Sequence, residues 1–191
     1  MRSDYEGSPV IRGVRPAGAA LAGALLLLLG PAAAEAAAGP DLKPSTYTRH
    51  DYKKCPAAPA AGEGPDARMC LGVANVPVVW SSDGASAALW FGRKPLKESL
   101  NLGTVFRPDA SVEWRATPAS QGRPVAAIVR YRVGERAGSL SGSRVVVYRL
   151  ETSGAGCVMA VLPSGDAKKA RDLADEKASG FRCGSSRRLG G

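Results

Sequence analysis

The sequence predicts an α+β domain: an antiparallel sheet of about six strands, one C-terminal helix packed on it, and two disulfides. Six short runs rich in β-branched and aromatic residues follow one another between Val76 and Leu162, mostly across short turns. One segment, Ala167 to Ala178, repeats small apolar residues at helical spacing. Four cysteines, Cys55, Cys70, Cys157 and Cys183, flank these elements in an even count. Strands joined by tight turns pair antiparallel, because parallel neighbours need a crossover of about a dozen residues or more.

The first run, Val76-Pro77-Val78-Val79-Trp80, suits an edge, since Pro77 cannot donate to a ladder. Ser82-Asp83-Gly84 turns the chain into Ala85 to Phe91. There Ala87, Leu89 and Phe91 share one face, and Ala88 and Trp90 the other. Residues 92–110, broken by Gly92, Pro95, Gly103 and Pro108, read as a long connection to a third strand, Val112-Glu113-Trp114-Arg115. From Pro124 to Val133, the residues Val125, Ala127, Val129, Tyr131 and Val133 line one face. Ala126, Ile128, Arg130 and Arg132 line the opposite one. The turns at Ala137 to Ser143 and Ser153 to Gly156 lead into Arg144 to Leu150 and Cys157 to Leu162.

The helix carries a thin stripe of Ala167, Ala170, Leu173, Ala174 and Lys177 or Ala178. Ser164 or Asp166 suits its cap, and Gly180 suits the left-handed residue that ends a helix. Lys168–Asp172 and Arg171–Asp175, one turn apart, and Lys169–Glu176 across two turns read as solvent-facing pairs, worth about a few tenths of a kcal/mol each.

The N-terminal residues 1–38 read as a secretory signal peptide. Arg2, Arg12 and Arg15 precede an apolar run over 17–30, which is shorter than the ~20 residues a membrane-crossing helix needs. Small residues then allow cleavage near Ala36 or Ala38. Within 1–38 the three Arg balance Asp4, Glu6 and Glu35, so the remainder keeps the whole charge of +9. Residues 39–69 form an extended lead-in and an Ala/Pro/Gly loop, 70–183 the single α+β domain, and 184–191 a disordered tail.

Export makes two disulfides the expectation for four cysteines, and proximity in sequence pairs Cys55 with Cys70 and Cys157 with Cys183. Zinc fails on spacing: the chain has no CxxC pair, and its one histidine, His50, lies outside the cysteine array. No metal, cofactor or catalytic constellation emerges. His50 reads as a solvated surface imidazole in a polar segment. The Gly134 to Gly142 stretch lacks GK[ST] and lies between two strands, so it is a hairpin loop. Glu113 beside Trp114 is the one isolated carboxylate suited to sugar chemistry.

A strongly basic domain attracts anions. Arg115, Arg130, Arg132 and Arg149, on three candidate neighbouring strands, are the candidate face for an anionic partner. An exported chain meets little nucleic acid. The expected partner is therefore a protein or an anionic envelope polymer, met by a monomer whose mature chain has no transmembrane span. The leading expectation is a non-enzymatic binding or inhibitor-type module recognising an anionic envelope component or an acidic protein. The alternative is a cell-envelope glycan hydrolase with Glu113 as acid/base.

The order Cys55, Cys70-Leu71-Gly72, Val76-Pro77-Val78, Val112-Glu113-Trp114-Arg115, Pro124 to Tyr131 and Gly180-Phe181-Arg182-Cys183 resembles short exported proteins of unknown function found in GC-rich alphaproteobacteria. That resemblance covers most of the chain after residue 38 and implies a periplasmic or secreted location. It carries over no functional residue.

Overall fold

In a computed structural model, which describes residues 45–59, 66–93 and 98–190, the period-two runs become strands. The expected signal peptide and cleavage site, and most of the Ala/Pro/Gly loop, lie outside the described residues. The six expected strands appear as β3 (Pro77–Ser82), β4 (Ala87–Phe91), β5 (Val105–Ala116), β6 (Pro124–Gly134), β7 (Gly142–Leu150) and β8 (Gly156–Pro163). Two more precede them, β1 (Thr46–Arg49) and β2 (Arg68–Leu71). All pair antiparallel, in a five-stranded sheet ordered β1-β5-β6-β7-β8 and a three-stranded sheet ordered β2-β3-β4. One helix, α1 (Ala167–Lys177), follows. The chain is thus α+β with one C-terminal helix, and its strands divide between two sheets.

Alternation decides which face each sheet covers. Val112 and Trp114 of β5, Ala127, Val129 and Tyr131 of β6, and Val146, Tyr148 and Leu150 of β7 pack with Val78, Leu89 and Phe91 of the smaller sheet. The opposite face, with Ala126, Ile128, Val145, Val147, Met159 and Leu162, packs under α1. The larger sheet is therefore the middle of three layers. A bulge in β8 keeps it there: Val147 pairs with Ala160 but Tyr148 with Val158, so the extra residue lets Met159 and Ala160 both face the helix. The Tyr131 and Tyr148 hydroxyls meet at 2.8 Å, and Tyr131 also accepts the Leu89 N–H at 2.9 Å, tying the layers in the dry interior.

The helix buries Ala170, Ala174 and Ala178 completely, so the expected stripe is the contact face. Its ends differ from expectation. Asp166 occupies the cap position without a side-chain capping bond. Gly180 is not left-handed; the chain continues through a 3₁₀ turn, Ala178–Gly180, and Phe181 donates back to Lys177 and Ala178.

Both expected disulfides, Cys55–Cys70 and Cys157–Cys183, are formed, with sequence separations of 15 and 26. The segment from residue 184, expected to be disordered, instead runs beside β8. The Leu189 N–H donates to the Met159 carbonyl at 2.8 Å, and Arg188 pairs with Glu98 at 2.9 Å. Strand β5 also starts earlier than expected, and Pro108 sits just before the break in its register with β6.

Candidate functional site

The four arginines named as an anionic-partner face do not share a surface. Arg130 and Arg132 are exposed on β6. Arg115 and Arg149 are only 3% and 7% exposed and lie on the helix side of the middle sheet. Strand alternation puts both on the face opposite the aromatic core, and α1 and its following turn cover that face. Trp114, Tyr131 and Tyr148 point inward, into the other core.

Arg115 holds α1 down. Its Nε donates to Asp175 Oδ1 at 2.9 Å, its Nη2 to Asp175 Oδ2, and its Nη1 to the Ser45 hydroxyl at 2.6 Å. Glu113, two residues earlier, accepts Arg171 Nε at 2.7 Å and the Ser45 hydroxyl. Of the three helix pairs expected, Lys168–Asp172 forms at 2.7 Å, Glu176 faces Lys177 instead of Lys169, and Arg171 and Asp175 turn away from each other's charge towards β5. The buried partners offer geometry that one solvated helix turn does not.

Burial alone would raise the Glu113 pKa. Hydrogen bonds from Arg171 and Ser45, with the charges of Arg171 and Arg115, outweigh it and hold the carboxyl below its ordinary 4.5. A general acid needs the reverse environment, one that keeps its proton to near neutral pH. Glu113 is an ionised anchor for α1 in this setting.

Arg149 stands in a different environment. Its Nε donates to the Phe181 carbonyl at 3.3 Å and its Nη1 to the Val125 carbonyl at 3.0 Å. It makes no ion pair among the described residues. Burial pushes its pKa down, with Glu151 acting against that and Arg182 adding to it. A guanidinium nevertheless remains charged at any physiological pH. Glu151, which lines the same cleft, is already engaged: it accepts the Cys183 N–H at 3.0 Å and the Ser153 hydroxyl at 3.4 Å.

Arg149 lines a cleft of about 240 Å³ at one end of the layers. Val76, Pro77, Phe91, Pro124, Val125 and Leu150 give it apolar walls, and exposed Arg123 stands at its rim. Its rim is built from turns in unusual backbone conformations. Ala74, Asn75 and Gln121 have φ of 53°, 58° and 50°. Gly92, at φ 92°, must be glycine on a second count, because a Cβ there would collide with the Gly154 carbonyl. No protein-family model, curated protein or solved structure matches this chain. A cavity of this size holds roughly eight waters at liquid density. It combines apolar walls, buried Arg149, Arg123 at the rim and the Glu151 carboxylate, which already accepts other donors. Two cations against one carboxylate make a setting complementary to an apolar molecule that ends in an anion.

Sequence pattern pointed to Arg149 but not to its cleft. The Gln121-Gly122 turn and the Gly154 turn carried the available signal. Their convergence depends on which strand ends the two sheets bring together. His50, expected to be solvated, is instead only 8% exposed, with Nε2 2.8 Å from the Thr48 hydroxyl. Desolvation lowers its pKa from the ordinary 6.5.

Acid stability follows from these two shifts. Both folded-state pKa values are depressed, so each group's contribution is present above its unfolded pKa and fades as pH falls through the folded value. Thermal melts from about pH 8 to about pH 3 are expected to fall in two stages, one beginning below 6.5 and one below 4.5. His50→Gln should flatten only the upper stage and Glu113→Gln only the lower. A single acid transition untouched by either change would refute the assignment.

Proposed function

We propose that this chain works outside the cytoplasm as a non-catalytic binding module, and that the Arg149 cleft takes an apolar molecule ending in a carboxylate. The carrying observation is a buried guanidinium that makes no ion pair among the described residues, facing a cleft with largely apolar walls. A charge left unpaired in a dry site is costly, and a ligand carboxylate removes that cost. The two disulfides support an oxidising compartment. The anionic ligand agrees with a chain of net charge +9. This is the anionic class of partner expected from composition, narrowed to one that brings its own apolar surface.

Calorimetric titration with octanoate tests it, with octanol as the uncharged control. Octanoate should bind, and Arg149→Gln should weaken it by about tenfold or more, the range of a charge-assisted hydrogen bond. Glutamine retains a donor for the Phe181 or Val125 carbonyl, so melting should change little. Ala119 lines the cleft and is exposed, so Ala119→Trp should block binding without touching the interior. Octanoate that ignores both substitutions, or fails to bind the wild-type chain, refutes the proposal.

A further inference from the structure

We infer that a second cleft, away from Arg149 along the β3–β4 hairpin, is a binding groove for an acidic polysaccharide strand. Strands β3 and β4 reach the first cleft through Pro77 and Phe91, and this one through Trp80 and Ala87. It opens between the smaller sheet and the β1–β5 edge of the larger one, with a volume of about 610 Å³. It is open rather than enclosed, which suits a polymer lying across it.

Its lining combines aromatic rings with cations. The rings of His50, Tyr52 and Trp80 stand in a row, with centroids 5.7 and 6.5 Å apart and planes within 20° and 4° of parallel. Arg49, Lys53 and Arg107 line the same groove, against one carboxylate, Asp51, which pairs with Lys54 at 3.0 Å. A sugar ring presents C–H groups that pack on an aromatic face, and uronic carboxylates supply the anions that the three cations lack.

The groove is held in shape before any ligand arrives. The Tyr52 hydroxyl donates to the Asp109 carbonyl at 3.0 Å, and the His50 N–H to the Ala110 carbonyl at 2.8 Å. Both acceptors lie in the irregular stretch of β5 between Pro108 and Val112. Trp114 Nε1 donates to the Thr48 hydroxyl at 2.8 Å, and that hydroxyl meets His50. Arg107 is steadied by its Nη2 bond to the Gly84 carbonyl at 2.8 Å. Fixed side chains lose little entropy on binding.

Nucleic acid shares the need for cations and rings, but single strands bind by laying successive bases on successive exposed ring faces. Here His50 and Tyr52 are each 8% exposed, and only Trp80 is half-buried, so one open face is on offer. That arrangement favours a sugar on Trp80 with charges to either side.

The test is a titration of the full chain with a galacturonic acid trisaccharide, its neutral galactose counterpart and a thymidine oligonucleotide. The acidic trisaccharide should bind, more weakly as salt rises, and quench indole fluorescence. The neutral sugar should bind at least about tenfold more weakly. Arg49→Glu with Lys53→Glu changes two exposed residues and should lower acidic-sugar affinity by about tenfold or more with melting unchanged. Trp80→Phe should abolish the quench. Arg149→Gln should leave this binding intact, which separates failure here from failure at the other cleft. No binding of the acidic sugar, indifference to the double reversal, or tighter binding of the oligonucleotide each overturns the inference.

Discussion

Asp175→Leu is expected to lower the unfolding free energy by about 3 kcal/mol, near the lower end of what removing one partner of a buried ion pair costs. The reason is the state of Arg115, which is 3% exposed and gives two of its donors to Asp175. With Asp175 gone, its charge retains only the Ser45 hydroxyl and Glu113 at 4.0 Å. That residual partner keeps the figure at the low end. The double variant Arg115→Met, Asp175→Leu should recover most of the loss, since an apolar pair of similar volume leaves no orphaned charge. Chemical denaturation of the wild type, both single variants and the double variant measures the coupling directly. A double variant as unstable as Asp175→Leu alone would show that packing, and not the unpaired guanidinium, sets the effect.

Removing the Cys157–Cys183 bridge, as Cys157→Ala with Cys183→Ala, should cost about 3.5 kcal/mol in the chain-entropy account, against about 3 for the shorter Cys55–Cys70 loop. The loss should also be local. Helix α1 and the turn after it bury three alanines against the sheet, and each adds little apolar area. The bridge fastens β8 to the residue two positions beyond Phe181, where the final segment begins. Hydrogen exchange in the variant should therefore speed up over α1 and residues 181–190 while β5, β6 and β7 stay protected. Uniform loss of protection across all three layers would refute a fastening role confined to the C-terminal layer.

The strands were legible where one face is apolar and the other is not, as in β6, whose assigned faces match the two cores from Ala126 to Val129 and at Tyr131. Val125 packs instead with the helix-side core, and Arg130 and Arg132 stay exposed. Strand β1 escaped notice because Thr-Tyr-Thr-Arg is polar, short and largely exposed, and only pairing with β5 makes it a strand. The division into two sheets was equally hidden, since period-two alternation fixes faces and not partners. Arg115 and Arg149 misled for a related reason. Polarity on a strand reads as contact with water, yet here it marks contact with α1 and the turn after it. His50 looked solvated because its neighbours in sequence are polar, while its neighbours in space are Thr48, Tyr52 and the β5 backbone. The disulfides needed no such knowledge, because even count and proximity sufficed.

The bond from Leu189 to Met159 sets a polarity on the larger sheet. At the β8 border one rung is already taken by the chain's own last residues, and Ala160 faces Leu189 in a parallel bridge. A foreign segment arriving there must first peel away Leu189 and break the Arg188–Glu98 pair. The molecule thus carries its own competitor for that border, and lateral growth by strand addition is suppressed on that side.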